Sequence, residues 1–159
     1  MATNSYHFVD RWFIRHPIES VWEKIIAADQ FPQWWGEVYT EVRPLNELLG
    51  DQVGSRAAIT AHGFLPYTIR FVAEITEVAA PQRLGLKADG DLTGKGLWTL
   101  APIDGGTQVI YEWIVQADKL ILRLFSPVIK PVFEANHRWT MRKGELALNR
   151  LLDAASREA

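Results

Sequence analysis

The chain has 159 residues, of which 48% are hydrophobic and 23% are charged, as in an ordinary globular domain. We therefore expect a single domain over residues 1–159. The net charge of −2 gives no support to nucleic-acid binding, and the lack of cysteine excludes disulfides and thiolate chemistry. No segment approaches the roughly 20 apolar residues that span a bilayer, and residues 1–12 lack the apolar core of a signal peptide. We expect a cytoplasmic protein, and the sequence does not specify its oligomeric state.

The beginning of the chain predicts one strand followed by two short helices. Residues 5–14 are rich in aromatic and β-branched side chains, which favour a strand. Pro17 suits the first turn of a helix, and apolar residues then recur at helical spacing from Ile18 to Ile25. The segment DQFPQWWG at 29–36 predicts a short turn or helix.

From residue 38 to residue 117 the pattern changes to strands. The predicted strands cover residues 38–46, 53–61, 66–78, 82–88, 92–101 and 107–117. The clearest alternation places on one face Tyr67, Ile69, Phe71, Ala73 and Ile75. In the last strand, one face carries Val109, Tyr111, Trp113 and Val115. The turn at 104–106, Asp-Gly-Gly, predicts a hairpin between the last two strands.

The last predicted element is a long helix within residues 131–155. One stripe of this helix carries Phe133, His137, Thr140, Gly144, Leu148 and Leu151. The opposite side carries Arg138, Arg142, Glu145, Asn149 and Asp153. The second half of the apolar stripe is ordinary core, whereas its first half holds a histidine, a threonine and a glycine. We therefore expect tight packing near the end of the helix and a cavity under its start.

The order of elements favours an antiparallel sheet whose concave face is covered by the final helix. Four segments resemble the START-like helix-grip superfamily (SRPBCC), specifically its polyketide cyclase/dehydrase and lipid-transport branch: HPIESVWEKI at 16–25, DQFPQWW at 29–35, GLWTLAPIDGGTQVIYEW at 96–113 and SPVIKPVFEANHRWTMRKGELAL at 126–148. The resemblance implies an α+β helix-grip fold, in which a curved seven-stranded antiparallel sheet, two short helices and a long C-terminal helix enclose an apolar cavity. It also implies binding of lipids, hormones or polyketides, or catalysis of cyclisation and dehydration.

His137 is the main candidate for chemistry, with Tyr111 as a second catalytic candidate. An imidazole facing a cavity could hold a ligand carbonyl or act as an acid or base near neutral pH. The alternative is a core histidine bonded to a backbone carbonyl or a sheet hydroxyl. Asn136 and Thr140 would complete this polar cluster or only satisfy it. Gly144 would leave room for a ligand or allow close approach of a strand backbone.

The residues predicted to contact a ligand share a position on the sheet face, the aromatic turn or the helix stripe. They are Trp35, Tyr67, Phe71, Trp98, Tyr111, Trp113, Phe133, Asn136, His137, Thr140, Met141 and Gly144. The aromatic members could equally be plain core, although one helix cannot easily fill a broad concave sheet. Alternation assigns to the outer face Arg70, Glu74 and Glu112. The four histidines lack metal-ligand spacing, so we expect neither a metal nor a cofactor.

Segment 119–133 is apolar, with basic residues spaced through it. Between residues 119 and 150 there are seven Lys or Arg and two Glu. This segment is interpreted either as a lid that docks on an anionic membrane or a protein partner, or as a helix packed against the sheet.

The leading hypothesis for function is binding, with transport as an additional role, of a small hydrophobic molecule such as a lipid, polyketide or aromatic metabolite. Its polar end would be oriented by His137 and a tyrosine. The second hypothesis is a cofactor-independent cyclase or dehydratase in which His137 moves a proton and Tyr111 or Tyr67 polarises a carbonyl. A third, weaker hypothesis is a macromolecular interaction module that uses Arg138, Arg142 and Lys143.

Overall fold

The computed structural model describes residues 5–64, 67–117 and 129–158. Within these residues the strands are β1 Ser5–Ile14, β2 Tyr39–Pro44, β3 Arg56–Ala61, β4 Ile69–Ala79, β5 Arg83–Gly90, β6 Leu92–Ile103 and β7 Gly106–Ala117. The helices are α1 Ile18–Ile26, α2 Phe31–Trp34, preceded by a 3₁₀ turn at Ala28–Gln30, and α3 Ile129–Glu158. The predicted order of strand, two short helices, six strands and a long helix is confirmed.

The strands form one antiparallel sheet in the order β1-β7-β6-β5-β4-β3-β2. Its register shifts between Tyr39 and Glu41 on β2 and between Ile75 and Glu77 on β4. Gly85 pairs with Glu77 at the second shift. Irregularities of this kind bend a strand and increase its twist, so they help the sheet to curve around α3.

The tightest core lies between α1, the C-terminal half of α3 and the β1–β7–β6 part of the sheet. Every apolar position of the α1 pattern, from Ile18 to Ile25, is buried. Trp12 packs edge-on against Trp35 at a centroid distance of 5.4 Å and against Trp98 at 5.5 Å. Such edge-to-face contacts add about 0.5–1.5 kcal/mol each beyond the burial of area. Leu148, at 0% exposure, joins the same cluster.

Helix α3 begins at Ile129, two residues before the predicted start. Pro131 therefore lies in the first helical turn, where the N–H groups have no intrahelical partner and a proline removes no hydrogen bond. Pro131 is therefore accommodated within the helix.

The polar stripe of α3 is divided between solvent and the sheet. Asn149, only 5% exposed, accepts a hydrogen bond from the Arg15 N–H at 3.0 Å and donates one to the Phe13 carbonyl at 3.0 Å. Glu145 accepts from the Phe13 N–H at 2.8 Å, and Asp153 accepts from Arg15 Nη2 at 2.9 Å. The C-terminal half of α3 is thus held to β1 by polar contacts, although a helical wheel places these residues opposite the apolar stripe.

Candidate functional site

A cavity of about 190 Å³ lies between the concave face of the sheet and the helices. A buried water needs about 10–15 Å³ on this measure, so the cavity has room for a molecule much larger than water. Its walls come from α1, α3 and all seven strands, and are mainly aromatic and aliphatic. The predicted ligand-contacting residues found in these walls are Phe71, Trp98, Tyr111, Trp113, Phe133, Asn136, His137, Thr140 and Met141.

The sheet side of the cavity carries a row of stacked aromatic rings. Tyr111 lies 4.1 Å from Trp98 and 5.7 Å from Trp113 between ring centroids, with interplanar angles of 30° and 22°. Gly96 on β6 makes room for this row, because a Cβ there would lie 2.7 Å from Tyr111 Oη and 2.7 Å from Trp113 Cε3. The row therefore presents a broad apolar surface with one phenol in its middle.

The Tyr111 hydroxyl is suited to donating a hydrogen bond and not to acting as a base. Burial, then the nearby Tyr39 and Asp10, raises the pKa of Tyr111 well above its usual value of 10.0. Burial also raises the pKa of Tyr39, which lines the cavity too, to about 12. Both phenols therefore stay protonated at neutral pH and can polarise a ligand carbonyl.

His137 projects from α3 into the cavity wall and pairs with a carboxylate of β1. Its Nε2 lies 2.5 Å from Asp10 Oδ2, and the two side chains are 13% and 16% exposed. Phe8 stacks on the imidazole at a centroid distance of 3.9 Å and an angle of 12°. The partner is thus a carboxylate, not the backbone carbonyl or sheet hydroxyl considered from the sequence. Packing and the hydrogen bond together fix the orientation of the ring.

Asp10 was missed as a site residue, although the sequence carries a signal for it. From Tyr6 to Ile14, exposed residues of β1 alternate with partly or fully buried ones, and the buried set is Tyr6, Phe8, Asp10, Trp12 and Ile14. A carboxylate at an inward position of a strand requires a polar partner. The same alternation rule that identified the inward aromatics could therefore have identified Asp10.

Asn136 and Thr140 use their polar groups mainly within the protein. Asn136, 7% exposed, accepts a hydrogen bond from the Phe64 N–H at 2.9 Å and so ties the segment after β3 to α3. Gly63 permits this approach, because a Cβ there would collide with the Asn136 carboxamide. Thr140 donates its hydroxyl to the His137 carbonyl at 2.7 Å.

Three predicted ligand-contacting residues do not line the cavity. Trp35, at 2% exposure, is part of the tight core, where its Nε1 donates to the Thr140 carbonyl at 3.0 Å. Gly144 leaves no room for a ligand, because a Cβ there would lie 2.5 Å from Trp35 Cζ2 and 2.7 Å from Trp12 Cζ2. The close neighbours of this glycine are two indole rings, not a strand backbone. Tyr67 precedes β4 and packs edge-on against Phe133 at 5.7 Å.

The charges assigned to the outer face do lie outside the cavity. Glu74 pairs with Arg56 at 3.5 Å, and Glu112 pairs with His7 at 2.6 Å. Arg70 is exposed. These three positions alternate with cavity-lining residues, as the predicted strand patterns require.

Two further predictions concern the basic residues of α3 and the apolar segment before this helix. Arg138 and Arg142 are exposed, whereas Lys143 pairs with Glu37 at 3.2 Å. Of the segment interpreted as a lid, residues 119–128 lie outside the described residues, and residues 129–133 belong to α3. In the parts of the chain that the structure describes, no helix has the length and apolarity needed to cross a membrane.

Comparison with solved structures shows which known fold this is. The ZhuI aromatase/cyclase from Streptomyces sp. R1128 superimposes with a TM-score of 0.74 at 12% identity, over 94% of each chain. Ara h 8.0201 gives 0.68 at 11% identity, over 94% of this chain and 99% of that one. The di-domain aromatase/cyclase StfQ of the steffimycin biosynthetic pathway gives 0.68 at 13% identity, over 94% of this chain and 52% of StfQ.

The chain has the helix-grip fold. The fold implied by the resemblance to the START-like superfamily is therefore confirmed. No family model matches the chain, and no curated protein matches it significantly. At identities of 11–13% the structural likeness establishes the fold and leaves the activity to be argued from the site.

Proposed function

We propose that the protein binds a small hydrophobic molecule, such as a lipid, polyketide or aromatic metabolite, in the cavity between the sheet and α3. The observation that supports this most is the cavity of about 190 Å³, whose lining consists mainly of aromatic and aliphatic side chains. Burial of apolar ligand surface would contribute about 25 cal/mol per Å². The stacked row around Tyr111 suits flat or extended ligands, and the few polar groups orient one polar end.

A pair of adjacent alanines on β3 provides a direct test of this site. Ala57 lines the cavity, whereas Ala58 points to the other face of the sheet. Ala57→Leu should fill part of the cavity and weaken binding of the neutral fluorescent probe N-phenyl-1-naphthylamine by about tenfold. Ala58→Leu should leave binding unchanged.

A second variant that fills the cavity helps to distinguish lost binding from a folding defect. Ala73 lies opposite Ala57 in the sheet register and also lines the cavity, so Ala73→Leu should have the same effect. Circular dichroism and thermal unfolding would show that each variant is folded. Probe binding that is absent in the wild type, or equal in all four proteins, would contradict the proposal. Native mass spectrometry of the purified protein would reveal any ligand that it retains.

A second candidate function is cofactor-independent cyclisation or dehydration of a polyketide-like substrate. The observation that favours it is the carboxylate-paired His137 in the same wall as the protonated Tyr111. In this mechanism His137 would transfer a proton while Tyr111 polarised a carbonyl. ZhuI and StfQ, which share the fold, are described as aromatase/cyclases. Turnover without added cofactor that is lost in His137→Ala would support the enzyme, and turnover that survives this change would exclude the mechanism.

The remaining expectations accompany the binding proposal. We propose that the chain acts as one domain in the cytoplasm, and that segment 119–133 contacts a membrane or a protein during ligand transfer. Proteolysis, fractionation of cells and vesicle flotation, respectively, would test these three points.

A further inference from the structure

One polar group of the cavity wall is the imidazole of His137. Because Nε2 of His137 is engaged by Asp10, only Nδ1 remains for a ligand. Among the described residues, Nδ1 makes no hydrogen bond. A neutral imidazole that donates its Nε2 proton to a carboxylate presents Nδ1 as a hydrogen-bond acceptor. What this nitrogen requires from a ligand is therefore a donor.

The described residues contain three histidine–carboxylate pairs: His7–Glu112, His16–Asp153 and His137–Asp10. Side chains of the first pair are 57% and 39% exposed, so water screens it strongly. Only the third pair includes a residue of the cavity wall, and both of its side chains are largely buried. The buried pair therefore acts on the cavity with little screening, and the exposed pair offers a matched control.

The described part of the wall offers no cation to a negatively charged ligand. Its only Lys or Arg is Arg56, and it contains neither Asp nor Glu. The Arg56 guanidinium is paired with Glu74, whose neighbours Ala73 and Ile75 face the cavity, so this charge points to the outer face of the sheet. A ligand carboxylate beside His137 would instead meet the Asp10 charge across the ring.

We infer that the Asp10–His137 pair selects ligands whose polar end is an uncharged hydrogen-bond donor, such as an alcohol or a phenol, and disfavours ligands that end in a carboxylate. This inference rests on the proposed function, because it assigns the ligand class of the same cavity. Asp10 is the specificity-determining residue: it fixes which nitrogen is free and supplies the charge that repels an anion.

The test measures displacement of N-phenyl-1-naphthylamine by three ligands of similar length at about pH 8.5, where a fatty acid is ionised. The ligands are 1-dodecanol, its isomer 1-methoxyundecane, which lacks a donor, and dodecanoate. The proteins are the wild type, Asp10→Asn, His137→Leu and the control Glu112→Gln, which removes a carboxylate from the exposed pair.

In the wild type, dodecanol should bind at least about fivefold more tightly than its ether isomer, because one hydrogen bond distinguishes them. His137→Leu should remove that preference while the probe still binds. Asp10→Asn should strengthen dodecanoate binding by about tenfold through loss of the buried negative charge, and Glu112→Gln should not. A merely structural role for Asp10 would weaken all ligands together.

Two results would overturn the inference. One is equal binding of the alcohol and the ether by the wild type. The other is dodecanoate binding that does not improve in Asp10→Asn relative to Glu112→Gln. If the probe binds but these differences are missing, the proposed cavity function stands and only the ligand class is wrong. If neither the probe nor any ligand binds the wild type, both proposals are refuted.

Discussion

Asn149 on α3 hydrogen-bonds the backbone of Phe13 on β1, although 136 positions separate the two residues in the sequence. Its carboxamide also accepts from the Arg15 N–H, so a single buried side chain serves two backbone groups at the end of β1. Asn149→Ala should lower the free energy of unfolding by about 1–3 kcal/mol, because buried backbone groups lose their partners. Urea denaturation would measure this loss.

The neighbouring Arg150, which is exposed, provides the control for that experiment. Arg150→Ala should change the free energy of unfolding by less than about 0.5 kcal/mol. Equal stability of the two variants would show that the Asn149 contacts contribute nothing measurable.

Helix propensity and packing predict opposite effects of Gly144→Ala on the stability of the protein. Propensity alone would make Gly144→Ala stabilising by about 1 kcal/mol. The indole rings of Trp35 and Trp12 leave no space for the added methyl group, and overpacking of this kind costs about 1–3 kcal/mol. We therefore expect net destabilisation, measured as a lower Tm.

A double-mutant cycle would attribute the Gly144 effect to the indole contact. The loss caused by Gly144→Ala should be smaller in a Trp12→Phe background, because a smaller ring leaves space for the methyl group. A Gly144→Ala protein with a raised Tm would instead mean that the rings move aside at little cost.

The tyrosines of the folded protein should ionise at a higher pH than free tyrosine. The protein has four, and the pKa of each is raised, chiefly by burial: Tyr6, Tyr39, Tyr67 and Tyr111. In the unfolded chain they ionise near 10, whereas in the fold they do so at higher pH. As the pH rises, the unfolded state therefore loses its tyrosine protons before the folded state does. The free energy of unfolding is unaffected by ionisation of these tyrosines below about pH 10, and it falls as the pH rises towards their pKa values in the folded protein.

Phenolate absorbance in the near ultraviolet would check this prediction. The folded protein should show little phenolate at pH 10, while the protein unfolded in guanidinium chloride should be about half ionised there. Half-ionisation of the folded protein at the same pH would contradict the burial of these hydroxyls.

Asn136 should protect the backbone amide of Phe64 from hydrogen exchange. Its side chain accepts from the Phe64 N–H at 2.9 Å, immediately before the two undescribed residues 65–66. Asn136→Ala should speed hydrogen exchange at Phe64 by about tenfold or more while exchange in β7 stays unchanged. Unchanged exchange at Phe64 would mean that this hydrogen bond does not hold the segment.

The sequence predicted the fold well because the fold depends on periodicity. Alternation identified the inward faces of β4 and β7, and the spacing of Ile18 to Ile25 identified α1. The resemblance then supplied the topology, which local patterns do not contain. These patterns predict the type of an element even where its predicted ends are off by a few residues. The start of α3 at Ile129, two residues earlier than predicted, therefore leaves the predicted architecture unchanged.

The candidate site was harder to predict because it depends on contacts between distant elements. His137, which the helix stripe singled out, lies in the cavity wall, yet its partner Asp10 lies 127 positions away. Gly144 resembled free space in the sequence, and only the structure shows that Trp35 occupies it. One-dimensional spacing reports the face on which a side chain lies, and it does not report what lies across from that face.

The polar contacts between α3 and β1 have a consequence for association between molecules. β1 and β2 are the two edge strands of the sheet, and edge strands can pair with another chain and aggregate. At β1, Glu145 and Asn149 occupy the Phe13 N–H and carbonyl that a foreign strand would need. Strand β2 is a poor partner for a foreign strand for another reason. It has only six residues, its register shifts between Tyr39 and Glu41, and it ends at Pro44. The helix thus blocks the β1 edge at Phe13, and the β2 edge is short and irregular.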